Sequence, residues 1–250
     1  MQANTHFTPY AGLILDLSPQ WTTYVSYTDI FKPQSEVNAA GQSLKPIVGE
    51  NYELGLKGEL LDGRINTAFA IFRIDQSNRA QVDFSSSPTC ADNYYCYTDA
   101  GKVRSQGFDA EINGEVTRGW NVYAGYTFNT TRYLKDVSSE GQAFAWHTPK
   151  HIFRLWSTYQ LPGDLSAFTV GGGVNVQSGQ SRQIGALTAK ASGRAVWNAY
   201  AKYQINRNWA ATLNLNNIFD KTYYSAIGNM VNGVHYGDPR NAMLTLRGTF

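Results

Sequence analysis

No stretch of this 250-residue chain stays apolar for the ~18 residues that a membrane-crossing helix needs. The longest near-apolar piece, Ala11 to Leu17, is broken by Asp16. The opening residues MQANTHFTPY carry neither a basic region nor an apolar core, so no export signal is read there. Charge is scarce: 16% of residues are charged, against about a quarter in ordinary globular chains. The 21 basic and 19 acidic residues nearly cancel, and no basic stripe stands out, so nucleic acid has no electrostatic footprint. No segment of helical length repeats its apolar residues at 3.6. The GxSxG, P-loop and GxGxxG patterns are all missing. Among the four histidines, His147 and His151 are spaced like a metal pair, but Pro149 between them forbids the helix an HExxH site needs. With no carboxylate partner in the pattern, HTPKH reads as a loop-to-strand junction.

What the chain has in excess is aromatic rings, with 16 Tyr, 12 Phe and 6 Trp, and a period of two. From Trp120, the residues Trp120, Val122, Ala124, Tyr126 and Phe128 share one face, against Asn121, Tyr123, Gly125 and Thr127. From Trp209, Ala211, Leu213 and Leu215 oppose Thr212, Asn214 and Asn216. In GFDAEINGEV, Phe108, Ala110 and Ile112 oppose Asp109, Glu111 and Asn113. This is strand alternation. Eleven strands are expected, starting near residues 10, 21, 47, 64, 103, 120, 149, 165, 194, 209 and 240. No helix and no inter-domain linker is expected among them.

The connections alternate as well. Short turns fall at Ser18–Gln20, Asp62-Gly63, Arg118-Gly119, Pro162–Asp164 and Asn206–Asn208. Long polar segments fall at 31–46, 80–102, 135–148, 179–193 and 219–238. A soluble sandwich has no reason to keep every other connection short. A transmembrane barrel does, with short periplasmic turns and long outer loops. Trp21, Trp120 and Trp209 each follow a short turn, where an interfacial aromatic girdle belongs. The competing classes are a self-contained small outer-membrane porin or enzyme, and a secreted β-sandwich.

Individual groups fit the barrel reading. Asp109, Glu111 and Glu115 form either an acid–base cluster or, as expected here, the lining of a wet lumen, with Glu53, Lys57 and Glu59 as neighbours and partners. The Gly171–Gly173 triplet sits inside a strand pattern, which calls for close backbone approach or a bend. Cys90 and Cys96 lie in a polar loop, where a local disulfide is the simplest reading and a zinc pair the competing one, lacking a second pair. Outer-loop side chains suited to an oxygen-rich ligand are Tyr94, Tyr95, Tyr97, Trp146, Arg182, Tyr223, Tyr224 and Tyr236. The alternative is that these rings pack among themselves or mark the outer girdle.

The stretch LNLNNIFDKTYY (Leu213 to Tyr224) with YGDPRNAMLTLRGTF (Tyr236 to Phe250) resembles the C-terminal signature of TonB-dependent outer-membrane receptors. WTTYVSYTDIFKPQ, ENYELGLKGELLDGRINTAFAIFRIDQSNRA, VRSQGFDAEINGEV and TPKHIFRLWSTYQLPG are similar to the ferric-siderophore branch, near the pyoverdine and coprogen (hydroxamate-type) receptors. The resemblance implies an all-β, antiparallel transmembrane β-barrel, of which residues 1–250 supply about 11 C-terminal strands of 22, without the plug domain. It implies a cell outer membrane location in a Gram-negative bacterium. It also implies uptake of a ferric siderophore as transported ligand without covalent chemistry, and no cofactor. The implied partners are the lipid bilayer, the barrel assembly machinery, and TonB-ExbB-ExbD through a segment outside this chain, with the receptor a monomer. Phe250, a terminal aromatic on an alternating strand, resembles the outer-membrane targeting signal. The isolated 250 residues are expected not to transport.

Overall fold

In the computed structural model, residues 7–85, 90, 95–184, 187–227 and 234–249 are described. They form β1 (Tyr10–Ser18), β2 (Trp21–Lys32), β3 (Ile47–Leu60), β4 (Ile65–Val82), β5 (Tyr97–Thr117), β6 (Trp120–Lys135), β7 (His151–Gln160) and β8 (Phe168–Gln177). After these come β9 (Gln180–Ile184), β10 (Leu187–Ala191), β11 (Arg194–Gln204), β12 (Trp209–Asn216), β13 (Tyr224–Ile227), β14 (Val234–Tyr236) and β15 (Asn241–Gly248). Eleven of them hydrogen-bond in the order β1-β2-β3-β4-β5-β6-β7-β8-β11-β12-β15, while β9–β10 and β13–β14 are separate two-stranded hairpins. The sheet strands follow chain order, as expected of hairpin-connected antiparallel strands. Trp21, Trp120 and Trp209 are each the first residue of a strand after a short turn.

The chain divides into two compact units, residues 1–56, 70–108 and 129–145, and residues 57–69, 109–128 and 146–250. In the first unit the connections between strands are packed segments. Cys90 and Cys96 are bonded to each other, with Cα atoms 5.2 Å apart. Both are buried, along with Leu44, Ile47, Val103 and Gln81. The Asp83 N–H donates to Cys96 O (2.8 Å) and the Tyr97 N–H to Val37 O (3.0 Å). Gln34 Oε1 accepts from the Ala80 N–H (3.1 Å), and Gln81 Nε2 donates to Lys135 O (2.7 Å). Lys45 pairs with Asp99 at 3.4 Å. Three polar connections are thereby tied into one cap. The cap explains why β4 runs to Val82 and β5 starts at Tyr97, six residues before the expected start near 103. The ladder continues to the disulfide through polar residues, which leave no apolar alternation to read.

In the second unit the register assigns every side chain to a face. One face carries rows of apolar residues: Leu155, Val174 and Trp197; Tyr159, Val170, Ala201, Leu213 and Leu244; Phe168, Tyr203, Ala211 and Leu246. Tyr159, Phe168, Val170, Trp197, Tyr203, Leu213, Leu244 and Leu246 point into the open, while Val174 is buried between its neighbours. The opposite face carries Arg154 and Asn175; Trp156, Gly173, Asn198 and Asn216; Thr158, Gly171, Tyr200 and Asn214. Two aromatics on this polar face, Trp156 and Tyr200, lie over glycines. A Cβ on Gly173 would stand 2.6 Å from the Trp156 ring, and one on Gly171 would stand 2.7 Å from the Tyr200 ring. Gly171 and Gly173 are therefore a floor for two rings whose centroids are 6.0 Å apart.

Several of these carboxylates accept hydrogen bonds from neutral donors. Asp109 accepts from Thr127 (2.6 Å) and Glu111 from Asn113 (3.2 Å). Glu115 Oε1 accepts from the Gly119 N–H (2.7 Å), so it caps the short turn. Glu53 accepts from the Tyr24 hydroxyl. The long segments 179–193 and 219–238 each contain a hairpin where loops were expected. These hairpins lack one apolar face, so their sequences do not alternate.

Candidate functional site

At the end of the second unit where the long connections lie, β12 stops at Asn216. Asn217 turns into the left-handed region (φ 50°), as does Asp220 (φ 50°), a conformation that Asn and Asp adopt more readily than other non-glycine residues. Asn217 is buried and fully bonded. Its N–H donates to Asn198 Oδ1 (3.0 Å), and its Nδ2 donates to Lys221 O (2.9 Å) and Asp238 O (3.0 Å). Its Oδ1 accepts from the Lys221 N–H (2.8 Å). Asp220 Oδ1 accepts from the Arg240 N–H (2.9 Å). One turn thus fixes both the departure and the return of the connection that carries β13 and β14.

That connection sets Tyr223 against Arg194, whose guanidinium carbon lies 4.7 Å from the ring centroid. The Arg194 Nη1 donates to Tyr224 O. The Gln177 amide, turned to present its oxygen, accepts from Arg194 Nη1 at 2.7 Å. Beneath lies a cavity of about 350 Å³ lined by Arg154, Asn175, Asn198, Asn216, Tyr223 and Asp238, among others. It opens on the polar face of the sheet. Two guanidinium groups and several amides surround it, side chains whose N–H groups donate to oxygen acceptors. Among the described residues, no group of three His, Cys, Asp or Glu could hold a metal ion.

The structure separates the sequence-predicted residues. Tyr223 lines the cavity. Tyr224 and Tyr236 face each other across the β13–β14 hairpin, ring centroids 5.0 Å apart. The Tyr224 phenol is held above its usual range by the hydrogen bond it donates to Tyr236. Tyr236 is 64% exposed. Trp146 packs edge-on against His147 (5.6 Å). Tyr95, 57% exposed, and Tyr97 belong to the first unit, beside the disulfide. Tyr94, the Arg182 side chain and Phe250 lie outside the described residues. Sequence reasoning missed Arg154, Asn175, Arg194 and Asn198. Their signal is present in the sequence as polar residues inside strands whose other face is apolar.

An antiparallel sheet with one open apolar face, one polar face, short turns at one end and long connections at the other is the wall of a transmembrane β-barrel. The chain belongs to the family described as TonB dependent receptor-like, beta-barrel, which it matches over residues 2–218. It is 40% identical over 255 residues to the ferripyoverdine receptor of Pseudomonas aeruginosa, a match covering 98% of this chain and 30% of that protein. It is 32% identical over 251 residues to the catecholate siderophore receptor Fiu of Escherichia coli K12, covering 94% of this chain and 31% of that protein. Against the crystal structure of the ferripyoverdine receptor of the outer membrane of Pseudomonas aeruginosa bound to ferripyoverdine, the TM-score is 0.86 at 37% identity, over 97% of this chain and 33% of that chain. The chain therefore spans about 30% of the length of these relatives and corresponds to the C-terminal portion of their barrel. Its place is the outer membrane.

Proposed function

We propose that this chain is the C-terminal barrel portion of a receptor that carries a ferric siderophore across the outer membrane. The observation that carries the reading is the cavity under Tyr223, with Arg154 and Arg194 on the polar face at the outer end of the sheet. On that face a ligand meets charge and amides where the opposite face meets lipid. The cavity holds one oxygen-bearing part of the ligand; the exposed Tyr236 and its partner Tyr224 extend the surface above it. The reading assigns the chain binding and passage without covalent chemistry. Passage draws on TonB-ExbB-ExbD through regions beyond these 250 residues, which pair with β1 and β15 and plug the lumen. The barrel assembly machinery inserts the receptor, which works as a monomer without a cofactor.

The test is ferric-siderophore binding to the full-length receptor. Arg154→Ala removes a charged hydrogen-bond donor, a contact of about 1.5–3 kcal/mol, so affinity should fall at least tenfold. Folding, followed by heat-modifiable gel migration, should be unchanged. Full affinity in Arg154→Ala, or undiminished growth on the cognate ferric siderophore after deletion of the gene in a strain without a redundant receptor, would remove the reading.

A further inference from the structure

A second hollow lies on the other side of the same strands. It has a volume of about 540 Å³ and is walled by Val176, Ala195, Trp197 and Phe219, with Arg194 and Lys221 at its edge. Val176, Ala195 and Trp197 belong to the apolar face: Trp197 shares the row of Val174 and Leu155, and Val176 and Ala195 form the next one outward. Phe219 comes from the Asn217–Asp220 turn and meets Trp197 edge-on, with centroids 6.3 Å apart and planes at 83°. Both rings are open to the surroundings, Phe219 at 72% and Trp197 at 43% exposure.

The depth of this groove follows from β11. Phe168 and Tyr203 stack at 4.6 Å beside the short turns. Tyr203 to Trp197 is six residues, about 20 Å along a strand, close to the height of the apolar band of such barrels, ~25 Å. Trp197 and Phe219 thus stand at the outer border of the lipid-facing band. The groove crosses from the hydrocarbon level to the headgroup level, and its cations sit at the outer side.

The two cations differ. Arg194 is engaged by Tyr223, Tyr224 and Gln177. Lys221 has its backbone clamped by Asn217, which fixes its Cα, while no carboxylate among the described residues lies within ion-pairing distance of its ammonium. The Oδ1 of the neighbouring Asp220 accepts from the Arg240 N–H. A positioned, unpaired ammonium above an open aromatic wall is complementary to a molecule with an anionic head and an apolar tail.

We propose that this groove binds a phosphorylated glycolipid of the outer leaflet, with an acyl chain against Val176, Trp197 and Phe219 and a phosphate on Lys221. The proposal rests on the outer-membrane barrel reading and is independent of the transported ligand, which belongs to the opposite face. The phosphate gives charge complementarity that a neutral lipid lacks, and it accounts for a cation at the border where Trp or Tyr alone would anchor the band.

The test uses the full-length receptor in detergent, with diphosphorylated lipid A and its dephosphorylated form as probes in native mass spectrometry. One lipid A should be retained by the unsubstituted receptor and by Lys221→Arg. Lys221→Glu should weaken retention at least tenfold, as should removal of the lipid phosphates, and Phe219→Ala should weaken both lipids. Lys221→Gln, which keeps a neutral polar head, controls for misfolding, and heat-modifiable migration reports the fold of each variant. Equal retention by the unsubstituted receptor, Lys221→Gln and Lys221→Glu overturns the proposal. So does a lipid-independent dimer lost in Phe219→Ala, which would assign the groove to a second copy. Ferric-siderophore affinity should stay within twofold in all four variants. Absence of that affinity in the unsubstituted receptor would sink the transport reading while leaving the lipid result standing.

Discussion

Asn217 concentrates more of the site in one side chain than any other residue of the outer end. It is 3% exposed, and its amide joins Lys221 and Asp238, the two arms of the connection that carries β13 and β14. Asn217→Ala leaves two carbonyls and one N–H without these partners. Each intramolecular hydrogen bond lost in such a partly buried turn costs about 0.5–1.5 kcal/mol, so the urea midpoint of the full-length receptor in detergent should fall clearly. Asn217→Gly relaxes the left-handed φ of 50° but loses the same bonds, so it should be nearly as damaging. A glycine variant as stable as the parent would show that only the backbone conformation matters. Gly173 acts by what it leaves out. A Cβ there would run into the Leu155 carbonyl oxygen and stand 2.6 Å from the Trp156 ring, and overpacking of this kind costs about 1–3 kcal/mol. Gly173→Ala should lower the same midpoint and perturb the near-ultraviolet signal of Trp156.

Among the elements, the cap of the first unit and the β13–β14 hairpin each contain one local device that chemistry can switch off. The Cys90–Cys96 bond closes a loop with a sequence separation of 6, which in the chain-entropy account contributes about 2 kcal/mol. Reduction should therefore open the 80–99 connection to protease while leaving the lipid-spanning strands protected; cleavage elsewhere would mean that the bond supports more than the cap. In the hairpin, Tyr224 donates to Tyr236, and its folded pKa is raised. A raised pKa gives stability that is fully present below the unfolded value, about 10, and is lost as pH rises through the folded value. Protease sensitivity of 224–236 should accordingly rise only in strong alkali. Tyr236→Phe keeps the ring but removes the acceptor, so it should abolish that pH dependence.

Over the whole molecule, the decisive feature is an odd number of antiparallel strands. Eleven strands in chain order put β1 and β15 at the two ends of the sheet, running the same way. Neither free edge can complete an antiparallel ladder with the other. Unpaired backbone groups are not tolerated in hydrocarbon. The 250 residues expressed alone should give no heat-modifiable, protease-resistant band in outer membranes. Co-expression with the remaining strands of the receptor should restore one. A stable band from the 250 residues alone would mean that the sheet closes by parallel pairing and would revive the small-porin alternative.

The sequence by itself determined the strands that meet lipid, because a strand with one face in hydrocarbon must alternate. Leu213, Leu215, Leu244 and Leu246 spelled out that face, and Trp21, Trp120 and Trp209 marked the short-turn ends. It also placed Cys90 with Cys96 and made Gly171 and Gly173 points of close approach. Where both sides of a segment meet water, the pattern was silent, so β9, β10, β13 and β14 were read as loops. Only the tertiary structure decided that Arg154, Asn175, Arg194 and Asn198, which stand far apart in sequence, gather under Tyr223. Alternation fixes which face a side chain takes, but register across four strands and the Asn217 turn fix which side chains meet. That pairing depends on long-range hydrogen bonds, which leave no periodic trace in the residues themselves.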